Sequence, residues 1–256
     1  KFFYFFMIDY DMKDVEIVKK TKVKLKNPIL ICGLPDSGFV GKIASYHFAK
    51  GIKAKKFADM YSSHLPAQTI VNEDGTIEPL KFEFYYKKGK NDLLIFTGDA
   101  QSETPEGQYN VSRDLLKFVK GLGCKTVYAI GGLITNDLSM PPKIYGAAIS
   151  ESLLKDLQEF GIENMKESNI IGMNGILVSL AKDSKMKGFG IYSETKGEFP
   201  DISAAKELIK VLTVITGIKP NLRALSSEEK RLKKLQTSLE SKIIEDSEKK
   251  VSGYIT

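Results

Sequence analysis

The residues best suited to chemistry begin in one turn, Gly33-Leu34-Pro35-Asp36-Ser37-Gly38. Asp36 offers a carboxylate for acid–base work, and Ser37 offers a hydroxyl in a glycine-rich setting. The spacing of Gly33 and Gly38 fits the outer glycines of a phosphate-binding loop, but Phe39 stands where the lysine must be. Shifting the frame to use Gly41-Lys42 leaves Asp36 at the first glycine and Ile43 at the hydroxyl position. The dinucleotide pattern fails too, because Pro35 takes the second glycine's place, and Asp36 would set negative charge beside a phosphate. The turn therefore reads first as a tight connection that lets a helix approach a strand.

Further carboxylates fall on polar stretches that follow apolar runs: Asp99 and Glu103 in residues 98–107, Asp137 beside Asn136, then Glu194 and Asp201. Each could act as acid or base, or simply form turns and caps. His47 and His64 are the two histidines, and neither stands in a motif that would make it a base or a ligand. Cys32 and Cys124 are far apart and lack metal spacing, so they read as small core residues in a reducing compartment. No G-x-S-x-G, no HExxH and no paired-cysteine site occurs. The expectation is no catalytic residue, no metal and no cofactor.

The elements that must position these groups follow from periodicity. Ile29-Leu30-Ile31-Cys32 is apolar on both faces, as a buried strand requires. Val40, Ile43, Ala44, His47 and Phe48 then recur at helical spacing until Gly51. Strand, turn and helix make the first half of a βαβ unit. Residues 93–97 and 127–130 read as two more buried strands, the second ending at Gly131-Gly132, and helices are expected over 108–120 and 147–160. If these strands are parallel, their following loops share one rim, where ligands of such sheets bind. Residues 15–18 and 21–25 suggest a hairpin or edge strand. Residues 68–72 are expected to pair with 80–86 across the turn Glu73-Asp74-Gly75-Thr76. Residues 170–175 begin another strand-to-helix passage that 176–182 continue, and 188–192 suggest a short strand. Asp201 is placed to cap a helix that Gly217 ends.

Beyond Pro220 the character changes. Residues 222–226 read as a linker, and a helix is expected from Ser226. Leu232, Leu235, Leu239 and Ile243 then form a narrow apolar stripe on an amphipathic helix. The chain thus divides into a core domain, 1–220, and a C-terminal helix with a flexible tail, 221–256. The aromatic start KFFYFF is short and has no cleavage signal. Met7 follows it, so residues 1–6 read as upstream sequence or an edge strand. At 256 residues the chain can bury a full core. Its net charge of +6 is spread, tryptophan is absent, and no basic–aromatic run points to nucleic acid. No apolar run reaches the ~18 residues that span a bilayer. A cytoplasmic location without membrane contact is expected.

Five segments, taken in order, resemble one family: ICGLPDSGFVGKIASYH, HLPAQTIVNEDGTI, GDAQSETPEGQY, AIGGLITND and the long stretch from Gly172 to Leu212. In the last, G-x-N-G, G-x-x-x-E-T and P-D-x-x-A-A follow at close spacing. Together they resemble the proteasome assembly chaperone family in its archaeal branch. The resemblance implies an α/β three-layer sandwich with a central mixed, largely parallel sheet, related to nucleoside-phosphorylase-like architecture. It also implies a homo-oligomer that binds proteasome α subunits or the 20S core particle without catalysis. Family members can end in a hydrophobic residue, a tyrosine and one further residue, inserted between α subunits. Here the end is Gly253-Tyr254-Ile255-Thr256, so the tyrosine is third from last and Gly253 replaces the hydrophobic residue. Those four residues are the expected partner-binding tail. The alternative is an enzyme or binding protein for a nucleoside- or nucleotide-like ligand at a rim formed by Gly33, Asp36, Ser37, Gly38, Asp99, Glu103 and Asn136.

Overall fold

The computed structural model describes residues 14–231. The KFFYFF segment, the stripe Leu232 to Ile243 and the tail Gly253 to Thr256 lie outside the described residues. The chain divides into two compact units between Pro220 and Asn221.

The first unit is built on β2 (Ile29–Gly33), the buried run read from the sequence. Parallel partners flank it: β7 (Leu93–Gly98) on one side and β8 (Thr126–Ile134) on the other. β11 (Lys187–Thr195) extends the parallel centre beyond β8. Antiparallel strands complete the β7 side: β6 (Phe82–Lys87), β3 (Lys55–Ser62) and the edge strand β1 (Val15–Lys19). On the other side β9 (Ile144–Ala148) runs antiparallel to β11, and β10 (Glu163–Asn164) runs parallel to β9. The nine-stranded order is β1-β3-β6-β7-β2-β8-β11-β9-β10. The central mixed sheet is as expected, but it is not largely parallel: β1-β3, β3-β6, β6-β7 and β11-β9 pair antiparallel, and the parallel run is confined to the buried centre β7-β2-β8-β11 and the short β9-β10 pair.

Helices cover both faces. α2 (Pro105–Gly121) packs on α4 (Met173–Asp183), and α1 (Val40–Gly51) packs on α5 (Ile202–Thr216). Adjacent glycines of β8 show the two sides: Gly131 lies under Asn174 of α4, and Gly132 under Val40 of α1. On the α2 side Phe57, Phe84 and Phe96 of β3, β6 and β7 are buried in an aromatic group that the partly buried Phe118 of α2 joins ring to ring. Burying each such ring contributes about 1.5–3 kcal/mol, so this layer is a principal source of stability. α3 (Glu151–Gln158) packs on β9.

Several expectations change. Residues 147–160 are not one helix: 147–148 finish β9, and the helix begins at Glu151. The cause is tertiary, because β11 offers an unpaired edge and Gly146 lets Leu157 pack against the strand. β8 runs through Gly131-Gly132 to Ile134, since β11 pairs with it along its whole length. Residues 170–171 are not strand, and Ile171 is exposed. The turn at Gly75 joins β4 (Thr69–Val71) to β5 (Ile77–Pro79) in a separate hairpin, while β6 belongs to the main sheet. Residues 21–25 form no strand, leaving β1 alone at its edge.

In the second unit residues 223–231 are helical. Asn221 Oδ1 accepts the Arg223 N–H at 3.1 Å, so the helix starts before Ser226 and takes in residues 223–226 of the expected linker.

Candidate functional site

Because β2, β7 and β8 are parallel, the turns after them meet at one rim, as anticipated. The first turn is drawn tightly onto the sheet. A Cβ on Gly33 would sit 2.2 Å from the Gly41 carbonyl, and one on Gly41 would sit 2.5 Å from the Ile130 carbonyl. Side chains at these positions would force α1 off the sheet.

Asp36 lies at the centre. Its Oδ1 accepts the Gly41 N–H at 2.9 Å and its Oδ2 accepts the Gly132 N–H at 2.6 Å. Burial raises its pKa to about 7, against the lowering effect of these backbone bonds. The first turn of α1 is where a bound anion would sit, and the chain's own carboxylate already takes that position. Asp36 thus ties the glycine turn to β8.

The neighbouring groups also face inward. The Gly38 N–H donates to the Gly197 carbonyl at 3.3 Å, and the Asp201 N–H donates to the Gly38 carbonyl at 2.8 Å. Asp201 caps α5 through the Ala204 N–H at 2.9 Å and accepts the Thr195 hydroxyl at 2.8 Å. Ser37 lies within this packed turn, half-buried. Asp99 pairs with Lys42 at 3.4 Å and accepts the Lys81 N–H at 3.2 Å. Glu194 accepts the Ser139 and Lys143 N–H groups at 2.9 and 3.0 Å and the Tyr145 hydroxyl at 3.1 Å, which organises the loop before β9. Burial alone would raise the Glu194 pKa, but these donors outweigh it and hold the carboxyl below its usual range.

Gly33, Asp36, Ser37 and Gly38 therefore come together. Asp99 is engaged separately through Lys42, and Glu103 and Asn136 are exposed on their loops. Cys32 is buried beneath the turn, and burial pushes its thiol far above the usual range, which suits a core residue and not a nucleophile. Among the described residues no group of three His, Cys, Asp or Glu could hold a metal.

Sequence reasoning missed three side chains here. Gln101 bridges two loops: its Nε2 donates to the Pro35 carbonyl at 2.6 Å, and its Oε1 accepts the Met173 N–H at 2.8 Å. Asn174 and Tyr192 are 3% and 2% exposed, yet Asn174 Oδ1 and the Tyr192 hydroxyl have no hydrogen-bond partner. A Cβ on Gly131 would lie 2.3 Å from Asp36 Oδ2, 3.0 Å from Asn174 Nδ2 and 3.4 Å from the Tyr192 ring. The glycine thus makes room for all three. Burial, then the Asp36 charge, pushes the Tyr192 hydroxyl well up. The G-x-N-G pattern was the available signal for Asn174, but no local pattern marks Gln101 as a bridge. The loops of this rim also expose three large apolar side chains, Phe39, Ile134 and Phe199, at 47%, 62% and 76%.

Fold and rim together define a three-layer α/β protein whose conspicuous polar turn mainly holds its own loops. Comparison with known proteins then identifies the group. Residues 30–239 match the model of the PAC2 family, and the chain belongs to that family. An uncharacterised protein of Methanocaldococcus jannaschii is 31% identical over 235 residues, covering 91% of this chain and 87% of that protein. Among solved structures, Pyrococcus furiosus PbaB, described as an archaeal proteasome activator, is 30% identical with a TM-score of 0.83. That match covers 90% of this chain and 100% of PbaB. Pyrococcus furiosus PbaA, described as an archaeal homologue of proteasome-assembly chaperone, is 25% identical with a TM-score of 0.77, covering 94% of this chain and 98% of PbaA. Among the described residues, no helix is long and apolar enough to cross a membrane.

Proposed function

We propose that this protein is a cytoplasmic, non-catalytic, homo-oligomeric factor that binds proteasome α subunits or the assembled core particle. The observation that carries this reading is the near-complete overlap with PbaB, described as an archaeal proteasome activator. The rim supports it in two ways. Its central carboxylate is held by backbone N–H groups, and its exposed Phe39, Ile134 and Phe199 suit contact with protein. Residues Gly253, Tyr254, Ile255 and Thr256 make the partner contact, with Tyr254 as the aromatic anchor. Several such tails on one oligomer would gain avidity against a ring of repeated subunits. The test is a pull-down of isolated α subunits and assembled core particle with the full chain and with a form lacking residues 253–256. The full chain is expected to bind and the shortened form to lose most of that binding. Equal binding removes the tail from the mechanism, and no binding by either form overturns the proteasome reading.

A second reading rests on the unpartnered Asn174 Oδ1 and Tyr192 hydroxyl beside Asp36. These groups could hold a small nucleoside-like ligand at the rim. A thermal-shift series with nucleosides, nucleotides and phosphate tests it, because a ligand of the native state raises the melting temperature. No shift with any of them removes this reading.

A further inference from the structure

The opposite end of the same sheet has a different character. Six neighbouring strands, β3, β6, β7, β2, β8 and β11, each bring a lysine there. Lys55 opens β3, Lys87 closes β6, and Lys187 opens β11, while Lys90, Lys26 and Lys125 shortly precede β7, β2 and β8. The registers align these ends: Lys55 stands opposite Tyr86, Lys87 opposite Leu93, Ile29 between Leu93 and Thr126, and Lys187 opposite Thr126. The Lys187 N–H donates to the Lys125 carbonyl at 2.9 Å, so the last two positions are adjacent. With ~4.8 Å between strands, the row is about 24 Å long.

Little on the protein neutralises it. All six lysines are exposed except Lys87, which is half-buried. Asp92 sits among them, but it is buried and accepts the backbone N–H groups of Lys26 and Gly89 at 2.7 and 3.1 Å. Lys187 reaches Asp156 at 3.5 Å, and Asp183 is exposed at the end of α4 nearby. None of the other five forms an ion pair with a described residue. Complementing helix dipoles explains Lys50, Lys120 and Lys182 in the last turns of α1, α2 and α4. It does not explain a row at strand ends, where the net dipole is small.

We propose that this lysine row is a docking surface for a carboxylate-rich stretch of a partner protein. The chemistry favours protein over nucleic acid. The chain has three arginines, Arg113, Arg223 and Arg231, and none belongs to the row, so bidentate reading of base edges is missing. The exposed large aromatic side chains among the described residues, Phe39, Tyr46, Tyr109 and Phe199, lie outside the row, so it has no platform for stacked bases. Lysine ammonium groups on flexible stems instead meet separate carboxylates one by one.

The test uses the full chain and polyglutamate as the acidic probe, with a DNA duplex of about 20 base pairs as the competitor class, titrated from ~50 mM salt upward. Lys90→Glu with Lys125→Glu is compared with Lys143→Glu and Lys196→Glu, which make the same charge change at the opposite end of the sheet. Polyglutamate is expected to bind at low salt and release as salt rises. The first pair should weaken that binding about tenfold and the second pair far less. Circular dichroism melting of both variants checks that each is folded. Equal loss in both pairs reduces the effect to net charge and overturns the proposal. So does absence of binding by the unaltered protein, and so does tighter binding of the duplex than of polyglutamate at the same salt.

Discussion

The two ends of the central strands use polar residues in opposite ways. At the glycine rim, Asp36, Gln101, Glu194 and Asp201 bond to backbone groups of the chain itself. At the lysine end, charged side chains face solvent with few partners. A conspicuous turn motif is therefore a poor guide to a ligand when its polar atoms are already engaged. Unremarkable lysines become informative once the sheet sets them side by side.

That contrast can be broken most severely at Gly41. Gly41→Val would push side-chain atoms into the Ile130 carbonyl, and it should cost about 3 kcal/mol or more, read as the loss in urea-unfolding free energy. Full stability in that variant would mean that α1 can lift from the sheet and that the rim is not rigidly set. Asp36→Asn is the next largest. Above pH 7, where the folded side chain is ionised, its two oxygens accept from Gly41 and Gly132. An amide keeps only one acceptor and turns an N–H donor toward the other backbone N–H, so about 1–3 kcal/mol should be lost at pH 8.

The pH dependence sharpens the point. Asp36 titrates near 3.8 when unperturbed and at about 7 in the fold, so the folded state keeps a proton that the unfolded chain releases between those values. Its contribution is fully present below the lower value and falls away as pH rises to about 7. Unfolding midpoints measured from pH 4 to 8 should show this decline in the natural chain and a flatter profile in Asp36→Asn. Identical slopes would show that Asp36 does not carry the effect. The smallest change is expected at the other end. Lys90→Glu with Lys125→Glu should leave unfolding free energy within about 0.5 kcal/mol, as befits exposed residues with few contacts. A large loss there would make the row structural and erase the contrast.

Much of the frame was legible in the chain. The doubly apolar run at β2, the change to helical spacing at Val40 and the Asp201 cap of α5 are local signals with local causes. The shared rim follows from parallel pairing of the buried strands, which β2 makes with both β7 and β8. β9 was missed because Ile144–Ala148 has no clear alternation, and it becomes a strand only because β11 presents a free edge. Gln101 was missed because its two partners, Pro35 and Met173, are remote in sequence.

The sequence by itself determined the α/β class, the glycine turn and the family resemblance, because short-range periodicity and motif order are written along the chain. Tertiary structure alone decided that Asp36 bonds to Gly132, that Gly131 makes room for Asn174 and Tyr192, and that six scattered lysines form one row. The physical reason is that strand order and register place residues within hydrogen-bond or Coulomb reach without regard to their separation in sequence.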